Sequence, residues 1–384
     1  MFNFICKSLP SYVRCAVRTS PTHQLYFLQS RPLSSLESIP NTSNEHSFTV
    51  TYLIDSCGFS PEKALSASKY INFKTPEKPD SVLAFFKNHG FTKTQISTLI
   101  AGLPPVLLSD PKKTLLPKIE FFHSKGISSP DITKIISRTP SILKRSLENQ
   151  IIPSFNFFNN LLKSNEKTTA AIKRFAGLLL YDLQTYVAHN IGILREVGVP
   201  ESNIVVLLTY QPRAFMTNTD RFKEIVEEVK KMGFNPVRMK FVIAIHALRA
   251  MSKLTWEKKV EVFKKWGWSE DEILVAFGKH PWCMMASEDK ITGVMDFFVN
   301  KMGWESSIVA RRPGLISLSL EKRIVPRCLV YQDLLSKGLI KKDFSLATML
   351  ECPEKLFLKK VVRCCKEEAP EVLKLYQEKL DLSK

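Results

Sequence analysis

Glycine is scarce, at 14 of 384 residues. That argues against a turn-rich all-β protein and against glycine-rich phosphate loops. The eight cysteines form no C-x-x-C pair, and the adjacent Cys364 and Cys365 make a poor disulfide. A disulfide framework or a zinc site is therefore not expected, and a reducing interior fits best. No run of about 18 apolar residues occurs, so no membrane span is predicted. The longest candidate, Phe241 to Met251, is broken by His246 and Arg249. The chain also lacks G-x-S-x-G, G-x-x-x-x-G-K-[ST] and H-E-x-x-H motifs, and its seven histidines show no metal-ligand spacing. No catalytic residue, metal or cofactor is expected, and an enzyme is the least favoured reading.

The first 36 residues lack acids altogether, Glu37 being the first, while Lys7, Arg14, Arg18, Arg31 and six serines are present. This is the composition of a mitochondrial or chloroplast transit peptide, expected over residues 1–40. Composition does not choose the organelle; the mitochondrion is preferred and the chloroplast is the alternative.

What is abundant is positive charge and phenylalanine. Lys and Arg outnumber Asp and Glu by 55 to 37, a net +18, and 25 phenylalanines help supply a large core. An excess of this size points to an anionic partner: nucleic acid, an acidic membrane surface or an acidic protein. The four cations of the leader leave +14 to the remainder.

The remainder is periodic. Gly58, Gly90, Gly126, Gly198, Gly233, Gly267, Gly303 and Gly338 follow one another at 32, 36, 72, 35, 34, 36 and 35 residues, with Leu162 midway through the double interval. Six, nine and ten residues after the glycine come Ile96, Leu99 and Ile100; Ile132, Ile135 and Ile136; Ile204, Leu207 and Leu208; and Met239, Val242 and Ile243. That spacing is the buried stripe of a helix. Proline follows at fourteen, as Pro104, Pro140, Pro212 and Pro281, and ends it. A second helix returns to the next glycine with an apolar pair just before it: Phe85-Phe86, Phe121-Phe122, Phe157-Phe158, Ile193-Leu194 and Val262-Phe263. Glycine ends that helix in the left-handed conformation. Thr92 with Gln95 and Ser269 with Glu272 fit a capping box at the next start. Ser129-Pro130 and Val199-Pro200 put proline in a first turn.

One such unit cannot bury its own stripe, but stacked neighbours can. The fold expected is an all-α superhelical solenoid of about nine helical repeats over residues 48–377, without a true domain boundary, followed by a tail at 378–384. Two units are irregular in one way: Ala176 and Ala247 stand where proline is expected. The unit after Gly303 is irregular in another, with its prolines Pro313 and Pro326 four residues early, which predicts a shorter first helix and a longer second one.

The pattern Ile-x-x-Ile-Ile-x-x-x-Pro, an apolar cluster, then Pro-x-x-x-Phe-Phe and glycine resembles the repeat of the mitochondrial transcription termination factor (mTERF) family. Ile132, Ile135, Ile136, Pro140, Ile142, Leu143, Pro153, Phe157 and Phe158 carry it. The stretches from Met302 to Pro313 and from Ser319 to Arg327 resemble the plant organellar branch in particular. The resemblance covers roughly residues 50–375. The pentatricopeptide type, another helical family of similar period, lacks the regular mid-unit proline. The mTERF resemblance implies an organellar nucleic-acid-binding protein that regulates gene expression. Double-stranded DNA in transcription termination is the first expectation, and organellar RNA in intron splicing or processing is the alternative. A helical-repeat scaffold for an acidic protein is the reading from a different class. A monomer is expected, without membrane insertion and with other organellar expression factors as partners.

Cations near the proline turns are the candidate contacts to phosphate. They are Lys112, Lys113, Lys144, Arg145, Lys173, Arg174, Arg213, Arg221, Arg311, Arg312, Lys322, Arg323 and Arg327. Lys258, Lys259, Lys264 and Lys265 among Glu257 and Glu261 read instead as a mixed-charge solvent face. The paired phenylalanines read as core rather than as base-stacking platforms. Trp268 and Trp304, directly after repeat glycines, are expected to pack between units, and Trp256 to be more exposed.

Overall fold

The computed structural model describes residues 48–181, 184–341, 347–365 and 369–381. The expected transit peptide lies outside them, as does the end of the C-terminal tail. The regular structure of the described residues is all helical, with no strand among them. They form two compact units, one up to Leu147 and one from Glu148, and both are built from the same repeat.

The punctuation is the clearest agreement with the sequence. All eight register glycines have positive φ, from 66° to 84°, and no other glycine does. After each, the chain doubles back onto the helix it has left. The amide of Phe91 bonds the carbonyl of Phe86, Ile127 bonds Phe122, Val199 bonds Leu194 and Trp268 bonds Phe263. This closure satisfies a helix-end carbonyl and presses the residue after the glycine onto the one five before it. Phe86 and Phe91 meet edge to face at 5.0 Å, and Phe263 and Trp268 stack at 4.7 Å. At the double interval the left-handed residue is Lys163, with φ 49°, not Leu162, which is buried as the last helical residue.

The first helices Lys93–Gly102, Ser129–Arg138, Asn165–Arg174, Glu201–Tyr210 and Glu270–Lys279 each have ten residues. The stripes at six, nine and ten are buried after Gly90, Gly126 and Gly198, and again as Ile273, Ala276 and Phe277 after Gly267. The unit after Gly233 departs: Met239 and Ile243 are only partly buried, and the core takes Phe241, Val242, Ala244 and Ile245. Both capping boxes form. Pro130 lies in the first turn as expected, whereas Pro200 is the cap itself and the helix starts at Glu201.

Each proline at fourteen opens a short 3₁₀ turn: Pro104–Leu108, Pro140–Lys144, Pro212–Met216 and Pro281–Met285. The two alanine exceptions behave differently. At Ala176 the turn survives as Ala176–Leu179, because the Phe175 ring folds over Gly177 so closely that a Cβ there would lie 2.4 Å from it. At Ala247 nothing stops the helix, and Met239–Ala250 runs through. After Gly303 the first helix is only Ser306–Arg311 and the second reaches from Leu320 to Ser336, the expected exchange of lengths. The second helices with a proline one turn in open with a wide turn, at Pro111–Leu115 before Pro117, Leu147–Ile151 before Pro153 and Leu320–Ile324 before Pro326. A proline one turn in has no N–H for the tight ladder and crowds the carbonyl behind it.

Of each apolar pair, the second member is the more deeply buried: Phe86, Phe122, Phe158, Leu194 and Phe263 are sealed, while Phe85, Phe121, Phe157 and Ile193 are half-buried. Trp268 does pack between repeats, its Nε1 donating to Ser306 Oγ at 3.1 Å. Trp256 is half-buried, edge-on to Phe277.

A polar row inside the core was not foreseen. Eight residues before the glycine of their unit, Lys118, Asn190 and Lys259 are buried. Each donates to the carbonyl 25 residues ahead, in the 3₁₀ turn of the next unit: Lys118 to Leu143 at 2.9 Å, Asn190 to Phe215 at 3.1 Å, and Lys259 to Met284 at 2.7 Å. Arg327, one residue after its proline as Lys118 is, makes the same bond to Cys352 at 2.7 Å. The end of a 3₁₀ turn has carbonyls without helical partners, and a cation answers both the missing bonds and the negative end of the dipole. Lys259 is thus a buried link between repeats, correcting its assignment to a solvent face. Burial lowers the pKa of both Lys118 and Lys259.

Candidate nucleic-acid interface

In six first helices the last residue stands two before the proline position. Gly102, Arg138, Arg174, Tyr210, Lys279 and Arg311 occupy it, and all but the half-buried Gly102 are exposed. Four of the six are cations at a helix C-terminus, where they also favour the local dipole. Arg174 and Arg311 were anticipated. Arg138 and Lys279 were missed, although the fourteen-residue proline register marks both.

In the unit from Glu148, two cation–aromatic pairs interlock successive repeats. The Arg174 guanidinium lies 4.7 Å from the centre of the Tyr210 ring, and that of Arg213 lies 4.6 Å from Phe175. The rings orient the guanidinium groups without neutralising them. Arg249, also missed, adds to this patch and donates to Thr217 Oγ1 at 3.1 Å. Burial, and then the nearby Arg213, lower its pKa. An arginine remains charged under such conditions. Farther along, Lys279 and Arg311 have no acidic partner among the described residues. His280 bonds Ser317 Oγ at 2.8 Å, and burial followed by the charge of Lys240 lowers its pKa.

The other anticipated residues divide by environment. Lys112, Lys113, Lys144, Arg145, Lys173 and Lys322 are exposed at turns or helix ends. Asp110 caps the amides of Lys112 and Lys113, at 2.9 and 3.0 Å, so these lysines begin an ordered turn. Arg221 is exposed but pairs with Glu224 at 2.9 Å on its own helix, and Arg312 pairs with Glu351 at 3.2 Å. Arg323 is partly buried and donates to Cys352 O at 3.0 Å. Arg327 is a correction: at 0 % exposure it cannot meet a phosphate. It bonds the carbonyls of Met349, Leu350 and Cys352, reaches Glu354 at 2.7 Å and lies against the Phe357 ring.

Burial pushes the thiols of Cys57, Cys283 and Cys328 up to about 12, leaving them protonated and unreactive. Among the described residues no cluster of His, Cys, Asp or Glu could hold a metal ion, and no helix is long and apolar enough to cross a membrane.

The sequence matches no curated protein. It does match the family model for mTERF, over residues 83–249 and 247–358, more than half of the chain. That family consists of nucleic-acid-binding helical-repeat proteins. With its register glycines, proline turns and paired helices, the chain belongs to the mTERF family.

Proposed function

We propose that this protein is an organellar regulator of gene expression that holds nucleic acid by its phosphate backbone. The observation that carries this reading is the recurrence of exposed cations at one position of the repeat: Arg138, Arg174, Lys279 and Arg311. Lys144, Arg145, Arg213 and Lys173 flank that position. Cations at a fixed register can follow a regularly charged strand, and they carry no base preference by themselves. Double-stranded DNA is the preferred ligand, in transcription termination or a related control step. Import into the mitochondrion, directed by residues 1–40, completes the proposal.

Binding should weaken steeply with salt, because each neutralised phosphate releases a counterion. The test titrates the chain without residues 1–40 against labelled duplex DNA, single-stranded RNA and folded intron RNA from 50 to 200 mM salt. Duplex DNA is expected to bind tightest at every salt concentration. Tighter binding of intron RNA would move the assignment to splicing, and no binding to any of the three near 150 mM would end the nucleic-acid reading.

A further inference from the structure

The repeat after Gly303 is one helical turn short. Its first helix has six residues where regular units have ten, and proline arrives after ten residues instead of fourteen. Beside this shortened helix lies a cavity of about 1040 Å³. Its rim carries Lys279, Arg311 and Arg312, with Glu351 as the acid that pairs with Arg312. Its wall includes Trp304 and Tyr331, with Ile308 and Leu335 beside them. Trp304 is stacked on Phe298 at 5.4 Å and meets Tyr331 edge to face at 5.9 Å, so the aromatic wall is fixed in place.

We infer that the space of the missing turn is a binding pocket for one nucleoside phosphate, its phosphate between Lys279 and Arg311 and its base on the Trp304–Tyr331 wall. Three features favour this class of ligand. Two rim cations are exposed and have no acidic partner among the described residues, so they are available to an anion. The volume far exceeds that of a bare phosphate and suits a ligand of nucleotide size. The apolar wall is aromatic and rigid, which suits a flat ring better than a flexible chain. The ligand has two possible sources, a free nucleotide or an unpaired nucleotide of a bound strand. The inference goes beyond backbone binding, and free nucleotides test it independently of that proposal.

The full chain is titrated with AMP, GMP, CMP, UMP and inorganic phosphate, followed by equilibrium dialysis and tryptophan fluorescence. Nucleoside monophosphates should bind saturably, more tightly than phosphate, and change the fluorescence. A Lys279→Gln, Arg311→Gln variant, whose substituted side chains are exposed and whose folding is verified by its melting curve, should weaken binding by about tenfold or more, the loss of two charge-assisted contacts. A duplex with one unpaired nucleotide, compared with a fully paired one, separates the sources. Tighter binding of the former, competed by free GMP, assigns the pocket to the strand; monophosphate binding without that preference assigns it to free nucleotides. No saturable binding below about 10 mM, a range spanning even weak affinities, would overturn the inference. So would equal affinity for phosphate, unchanged affinity in the variant, or binding of a poly-glutamate peptide in place of the nucleotides.

Discussion

Two rows of polar side chains recur along this chain, one in its interior and one on its surface, and they use cations for opposite purposes. The interior row, Lys118, Asn190, Lys259 and Arg327, lies on second helices and is sealed from water. Each member is bonded to a carbonyl of the next repeat. The outer row, Arg138, Arg174, Lys279 and Arg311, ends first helices and stays exposed. A cation in the core is tolerable when several acceptors meet it, and it then joins repeats. A cation on the surface contributes little to folding and remains available to a phosphate. In the proposed reading, the same residue types serve structure inside and phosphate binding outside, according to their position in the repeat.

The largest effect should come from breaking the interior row at its strongest member. Arg327→Met strands the carbonyls of Met349 and Leu350, leaves that of Cys352 to Arg323 alone, and deprives Glu354 of its cation. Urea unfolding should show a loss of about 3–5 kcal/mol. Lys322→Gln, on the exposed side of the same segment, should change stability by less than about 0.5 kcal/mol. Similar losses from both substitutions would erase the distinction between the rows.

His246 sharpens the rule by exception. It is buried, its Nδ1 has no hydrogen-bond partner, and Arg249 lies near. Burial, then Arg249, bring its pKa down to about 4, so the imidazole is neutral where the interior lysines find carbonyls. The unfolded chain takes up this proton below about pH 6.5, and the folded chain only below about 4. Stability is therefore retained above pH 6.5 and lost as pH falls towards 4, by about 3 kcal/mol for this one group. His246→Phe should remove that share of the acid sensitivity when unfolding is compared at pH 7 and pH 4.5. An unchanged pH dependence would mean that other groups carry it.

The smallest effect concerns punctuation. Lys163 holds the left-handed position that glycine holds in eight other places. Lys163→Gly should raise stability by about 0.5–1 kcal/mol, the strain relieved exceeding the added freedom of the unfolded chain. A loss on thermal melting would show that the lysine side chain compensates for its backbone.

Much of the fold was legible because glycine and proline act locally. Gly126 and Pro140 bound a helix whatever surrounds them, and the early Pro313 alone marks the short helix Ser306–Arg311. Where punctuation was missing, the sequence became ambiguous: Ala176 and Ala247 look alike, yet only the Phe175 ring over Gly177 keeps a turn at the first. The site was less legible. A lysine at 118 or 259 reads as solvent-facing until the next repeat brings a carbonyl to it, a contact 25 residues away that helical periodicity does not contain. Arg327 was misplaced for that reason. Arg138 and Lys279 were within reach, since the proline count alone selects their position.

The most direct test joins both rows in one comparison. Arg138, Arg174, Lys279 and Arg311 are changed together to Gln, and duplex-DNA affinity is followed against salt alongside urea unfolding. The slope of log affinity against log salt should become shallower by about 4, one for each lost phosphate contact. Folding stability should change by less than about 1 kcal/mol. An unchanged salt slope in a folded variant would contradict the assignment of the outer row to the nucleic-acid backbone.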